Sequence, residues 1–220
     1  SDLLALYAVD SDFYKGVETL EYSSMRTVRG DGNCYYRAFL YSLMEHLRDE
    51  PDEVKRLLDF VQNVSWPQVQ AAGYEAMTTE IFYDAFVELL QKASTQSADD
   101  LHTEMNQENS TSDYCTWYMR VLTGTHLKSD PGRFEPFIEE PGMDVATFCQ
   151  RRVEPMGQEC EELQVLALAE ALQVQVAVEY LDGRALVNGK VMQHVLGPED
   201  AKLRLAFLYR PGHYDILYTK

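Results

Sequence analysis

The hydrophobic residues of this 220-residue chain change period part-way along, and that change limits the folds open to it. Up to Leu172 the apolar positions recur at helical spacing. Tyr36, Phe39, Leu40, Leu43 and Leu47 share one helical face, with Arg37, Glu45 and Arg48 opposite. Phe82, Ala85, Phe86 and Leu89 repeat that spacing. Ser110-Thr111-Ser112-Asp113 has the capping-box form and predicts a helix start. The stripe of that helix, Tyr114, Trp117, Tyr118, Val121 and Leu122, is expected in the core, and Gly124 suits its C-terminal stop. Leu163 to Leu172 is apolar nearly all round, the pattern of a buried helix.

Beyond Leu172 the period becomes two. Val174, Val176, Val178 and Tyr180 alternate with Gln175, Ala177 and Glu179, which is strand patterning. Leu203, Leu205, Phe207 and Tyr209 form a second alternating run, and Tyr214, Ile216 and Tyr218 a last one. Asp182-Gly183, Asn188-Gly189 and Pro211-Gly212 predict the turns between them, because these residues tolerate positive φ. The expected fold is of the α+β type within the α/β class: a small, mainly antiparallel C-terminal sheet packed between helical regions. No repeat, low-complexity tract or long linker interrupts the chain, so residues 1–220 read as one domain, with 1–24 as a helical lead-in. The chain does not start with Met, and a trimmed N-terminal segment is the expectation.

Charge narrows the partners. With 19 Lys+Arg against 36 Asp+Glu, the formal charge is −17. Phosphate backbones need basic surface, so no nucleic-acid partner is expected. Acidity also keeps a soluble protein soluble, and charge alone does not separate that reading from a basic partner. Ser1-Asp2-Leu3-Leu4-Ala5-Leu6 lacks the basic start and long apolar stretch of a signal peptide, and no run of about 18 apolar residues predicts a membrane span. Cys34, Cys115, Cys149 and Cys160 form no C-x-x-C pair and no zinc pattern. A reducing cytoplasmic or nuclear setting, with no metal, follows as the expectation.

One segment carries chemistry. Gly30-Asp31-Gly32-Asn33-Cys34 precedes an amphipathic helix, and its two glycines permit a tight turn with converging N–H groups. Cys34 falls at the helix N-terminus, where the macrodipole contributes about +0.5 charge and favours thiolate over thiol. The loop, with Gly32 and Asn33, is placed to stabilise an oxyanion; Asn33 is a cap or a loop-shaping residue. Of five histidines, His213 has the best context, directly after the Pro211-Gly212 turn. Asp215 shares its face of the strand and is placed to orient the imidazole, while Tyr214 and Ile216 point to the core. Cys34, His213 and Asp215 together suit acyl transfer. Taken as residues alone, the same segment also reads as a turn before a helix with a structural cysteine. His46, His102, His126 and His194 read as surface or packing residues, and Cys115 as a core thiol.

Longer blocks resolve that ambiguity. Arg29 to Phe39, Asn109 to Tyr114, Arg133 to Ile138, Val153 to Met156 and Tyr209 to Tyr218 resemble, in order, motifs of the otubain branch of the OTU cysteine proteases. The resemblance runs from about Met25 to the end. It implies a papain-like OTU fold and a monomeric deubiquitinase that cleaves the isopeptide bond between the ubiquitin C-terminus and a lysine amine. Ubiquitin or polyubiquitin is then the substrate, with ubiquitin-conjugating enzymes as further partners and no cofactor. By motif match Cys34 is the nucleophile, His213 the base and Asp215 its orienter. Asp31 is the other active-site residue and shapes the oxyanion loop, and Tyr214 lines the approach for the substrate tail. Two other readings stay open: a regulator that binds ubiquitin or conjugating enzymes largely without catalysis, and a thiol hydrolase of another ubiquitin-like modifier. One departure stands out. Glu161-Glu162-Leu163-Gln164-Val165 replaces an Asp-His-Ile-His-Ile-like stretch of the family, which bears on ubiquitin contacts and linkage preference.

Overall fold

The computed structural model describes residues 3–108 and 110–219. Asn109, part of one motif above, lies outside the described residues. A 3-10 turn at Leu3–Leu6 and helix α1 (Asp12–Glu18) lead into strand β1 (Ser24–Arg26). The helical region follows as α2 (Cys34–Leu47), α3 (Pro51–Phe60), α4 (Trp66–Ala71), α5 (Ala76–Lys92), α6 (Ala98–Asn106), α7 (Thr111–Ser129), α8 (Pro131–Phe134), α9 (Val145–Phe148) and α10 (Glu162–Leu172). Strands β2 (Gln175–Tyr180), β3 (Met192–Leu196), β4 (Arg204–Arg210) and β5 (His213–Tyr218) close the chain.

The five strands form one sheet in the order β1-β5-β4-β2-β3. The alternation read in the sequence maps onto its two faces. Val176, Val178, Leu205, Phe207 and Ile216 join α2, α7 and α10 in the main core. Ala206, Leu208 and Leu217 face a smaller cluster with Tyr7, Phe13 and Val17 from the N-terminal segment. The sheet thus sits between helical layers, as expected. It is less purely C-terminal than the alternation implied, because β1 pairs with β5, Arg26 opposite Ile216. It also contains one parallel pair, β2 with β4, Val178 opposite Phe207. Three residues of β1 carry too short an alternation to be seen in sequence.

Helix α2 is the hub. Tyr36, Phe39, Leu43 and Leu47 are fully buried, each such apolar side chain contributing about 1.5–3 kcal/mol. Helix α2 packs on β5, so the start of α2 meets the start of the last strand.

Four local expectations are corrected. Helix α7 runs through Gly124 to Ser129. Gly124 lacks the positive φ of a stop; instead a Cβ there would lie 2.6 Å from the Tyr74 hydroxyl, so the glycine admits a neighbouring ring. Ser110 is the N-cap residue, but its hydroxyl donates to the carbonyls of Glu104 and Gln107 rather than accepting from Asp113 N–H. Tyr114 and Trp117 are not core: they are 47% and 40% exposed, while Tyr118 is buried. Asp182-Gly183 is not a tight hairpin turn: it opens the 181–191 connection between the paired strands β2 and β3, whose tight turn falls at Asn188-Gly189, inside the Val187–Lys190 bridge.

Candidate active site

The Gly30–Asn33 loop is held by its own side chains. Asp31 Oδ1 accepts the Asn33 N–H at 3.0 Å, an Asx turn. Asp31 Oδ2 accepts Arg37 Nε and Nη2 at 2.9 and 2.7 Å, and Arg37 Nη1 continues to Asp113 at 2.7 Å. Burial pushes the Asp31 carboxyl up, but the Arg37 guanidinium and the Asn33 N–H outweigh it and hold it below the usual carboxylate range. Gly32 has φ +75°, and a Cβ there would sit 2.1 Å from the Gly157 carbonyl oxygen. Only glycine satisfies both the backbone and that close approach.

Asn33 is not a side-chain cap. Its Oδ1 points inward and accepts Arg120 Nη2 at 2.8 Å, Arg120 Nε at 3.2 Å and the Gly157 N–H at 2.9 Å. Its Nδ2 donates to the Asp31 carbonyl at 3.3 Å. Asn33 therefore shapes the loop.

Cys34 opens α2 and is 3% exposed. Here the helix dipole does not win. Burial pushes the thiol up; the backbone N–H groups of Tyr214 and Tyr35 draw it down, and the Asp31 and Asp215 carboxylates add to the rise. The net direction is upward, against the thiolate expected from position alone, because desolvation penalises the charged form.

The β4–β5 hairpin delivers the other partners. Arg210 pairs with His213 across the two-residue Pro211-Gly212 turn, with Gly212 at φ +74°. His213 Nε2 donates to Asp215 Oδ1 at 2.9 Å. That bond leaves Nδ1 as the free nitrogen, turned to the Gly30 loop: a Cβ on Gly30 would lie 3.7 Å from it. Asp215 is fully buried; its Oδ1 also accepts the Val28 N–H at 3.0 Å and its Oδ2 accepts Arg210. Tyr214 points to the core, packing edge-on against Tyr35 and tilted against Tyr209, and also lines the Cys34 cleft.

The cleft has a volume of about 370 Å³ and is lined by Cys34, Tyr214, Tyr209 and Tyr180, with Glu159, Glu161, Glu162 and Asp182 along it. The departure noted at Glu161-Glu162 thus faces the nucleophile's own cleft. His194, read as a surface or packing residue, arrives there from β3 and places Nδ1 3.0 Å from both Glu162 oxygens. It is half-buried on β3, and nothing in the sequence around it says which cleft it borders. Arg120 is the other residue missed, a fully buried arginine inside the apolar stretch of α7. A cation there, flanked by Met119 and Val121, was the available signal. The remaining histidines serve elsewhere: His46 contacts the Ser42 carbonyl, His102 the Tyr41 hydroxyl and His126 Glu170. Among the described residues no cluster of His, Cys, Asp and Glu forms a metal site, and no helix is long and apolar enough to cross a membrane.

Residues 1–219 match the family model for peptidase C65, otubain. The chain is 40% identical over 216 residues to the human "Ubiquitin thioesterase OTUB1", covering 96% of this chain and 78% of that protein. It is 35% identical to the Arabidopsis thaliana "OVARIAN TUMOR DOMAIN-containing deubiquitinating enzyme 1", covering 91% and 71%. A solved structure described as a ceOTUB1 ubiquitin aldehyde UBC13~Ub complex superposes with a TM-score of 0.90 at 30% identity, over 99% of this chain and 90% of that one.

Proposed function

Because the chain belongs to the otubain family of peptidases, we propose that it is a ubiquitin-specific thiol isopeptidase whose nucleophile is Cys34. The observation that carries the assignment is the Asp215-oriented His213, its free nitrogen turned to the loop from which Cys34 begins α2. His213 Nδ1 takes the thiol proton as Cys34 Sγ attacks the carbonyl carbon of the ubiquitin C-terminal glycine. The resulting oxyanion is met by loop N–H groups. His213 then gives its proton to the departing lysine amine, leaving a thioester. Water, activated by the same nitrogen, hydrolyses that thioester and regenerates the thiol. Burial pushes the Cys34 thiol up, which gives the base a defined task. The acidic residues of the cleft, Glu159, Glu161 and Glu162 together with an Asp182 paired to Arg184, outnumber its one arginine and suit a basic substrate tail. A ubiquitin C-terminal electrophile is expected to label the protein stoichiometrically; labelling that persists in Cys34→Ala overturns the assignment.

A second reading is favoured by a separate surface. Met77 and Ile81 on α5 are 74% and 53% exposed, and Tyr114 and Trp117, which pack on Phe82 of the same helix, are half-exposed. Exposed apolar side chains of this size suit a protein contact, and similar solved structures hold conjugating enzymes, UBC13~Ub and UBCH5B~Ub. On this reading the chain also restrains conjugating enzymes without using its thiol. Inhibition of chain synthesis retained by Cys34→Ser and lost by Ile81→Glu supports it; inhibition that disappears with Cys34→Ser defeats it.

A further inference from the structure

Arg120 is an expensive residue to bury. Its side chain is fully inaccessible, yet it hydrogen-bonds no carboxylate. Its planar fork is spent on loop oxygens. Nη2 donates to the Gly32 carbonyl at 3.0 Å, to Asn33 Oδ1 at 2.8 Å and to the Gln158 carbonyl at 2.7 Å. Nε donates to Asn33 Oδ1 at 3.2 Å and Nη1 to the Val153 carbonyl at 2.8 Å. The guanidinium stacks 4.3 Å over the Tyr36 ring, on the helix that Cys34 begins. A buried charge with no carboxylate bonded to it costs several kcal/mol to desolvate, and burial here pulls the guanidinium down despite the nearby Asp31. A neutral side chain of that size would fill the space in α7 without that cost.

What the cation holds is the loop's polarity. The Asp31 and Gly32 carbonyls both have interior donors, Asn33 Nδ2 and Arg120 Nη2. In a trans-planar peptide the carbonyl and the N–H point opposite ways. With the Asp31 carbonyl held by Asn33 Nδ2, the Gly32 N–H points the opposite way, away from that donor. The Cys34 N–H, first in its helix, has no partner within the helix. If the Asp31–Gly32 peptide turned over, a carbonyl oxygen would replace the Gly32 N–H and repel an oxyanion. Gly32 has no Cβ to resist that rotation, so the restraint must come from the residues that grip its neighbours. Arg37 grips Asp31 from α2, and Arg120 grips Gly32 and Asn33 from α7.

We propose that Arg120 is a positioning residue for the reaction: it locks the Gly30–Asn33 loop so that the Gly32 and Cys34 N–H groups, unlike the Asn33 N–H held by Asp31, stay available to an oxyanion formed at Cys34. This rests on the assignment of Cys34 as an acyl-transfer nucleophile. The test compares two reactions of one thiol in wild type, Arg120→Met and Asn33→Ala. Hydrolysis of a fluorogenic amide on the ubiquitin C-terminus passes through an oxyanion. Alkylation by iodoacetamide, in which the thiolate forms a C–S bond at an sp3 carbon and expels iodide, does not. In Arg120→Met, kcat is expected to fall about 10²-fold or more with KM little changed, while the rate of Cys34 alkylation and its pH profile stay those of wild type. Asn33→Ala keeps the arginine and removes its side-chain acceptor, and is expected to show a smaller loss with the same split. Folded variants, judged by circular dichroism, that lose both reactions in parallel or neither overturn the proposal. If Arg120→Met does not fold, the Asn33→Ala split decides. Wild type that alkylates normally but hydrolyses no ubiquitin conjugate instead defeats the assignment of Cys34.

Discussion

Asp215→Asn changes one atom of a fully buried side chain and tests the His213–Asp215 unit directly. The carboxylate accepts three donors: His213 Nε2, the Val28 N–H and the Arg210 guanidinium. An amide has one oxygen. If that oxygen stays on His213 and Val28, the new NH2 faces Arg210, donor against donor. If the amide flips, it loses the other two. Either way at least one charge-assisted bond is lost, costing about 1.5–3 kcal/mol. Arg210 remains about one-fifth exposed and recovers part of its hydration, so the cost stays below that of a fully buried broken pair. For a chain of this length, melting is expected to fall by about 3–12 °C. Catalysis suffers separately, because the imidazolium loses its countercharge and the tautomer is no longer imposed. We expect kcat on a ubiquitin C-terminal amide to fall by between about 10² and 10⁴-fold, with ubiquitin affinity by titration retained. Melting by calorimetry and steady-state kinetics at 25 °C give the two numbers independently. A lowered melting temperature with kcat within about tenfold of wild type would refute the orienting role and leave Asp215 a packing residue.

Four further outcomes follow from the same contacts. Because burial raises the Cys34 thiol, its alkylation rate in the free protein should still be climbing above pH of about 8.5, the ordinary thiol value; a plateau below pH 7 would contradict that. Gly32→Ala should abolish hydrolysis and destabilise the fold by about 2 kcal/mol or more in denaturant melts, from a positive φ and a Cβ driven into Gly157. The lowered Asp31 carboxyl contributes stability that is present above the unfolded value of about 3.9 and is lost as pH falls through its folded value. Acid titration of Asp31→Asn should therefore lack that part of the loss, and parallel curves would refute it. Finally, the acidic cleft predicts that KM for ubiquitin substrates rises with salt; no change between low and high salt would assign the charge of −17 to solubility alone.

What was legible in the chain was local. Alternation over Val174–Tyr180 and Leu203–Tyr209 specifies strands because side-chain direction repeats every two residues, whatever the strand packs against. Pro211-Gly212 made the last hairpin readable, and with it the His213–Asp215 bond, since both residues lie on one face of one strand. The Gly30–Cys34 turn before α2 was readable for the same reason. Tertiary structure decided the rest. Gly124 looks like a helix stop until Tyr74 is seen against it. Cys34 looks poised as a thiolate from the dipole of its own helix, but its desolvation depends on everything packed over it. Arg120 and His194 carry no local mark of their place, because their partners Asn33 and Glu162 lie 87 and 32 residues away. Periodicity and turn chemistry are properties of neighbours in sequence; charge burial and convergence on a cleft belong to neighbours in space.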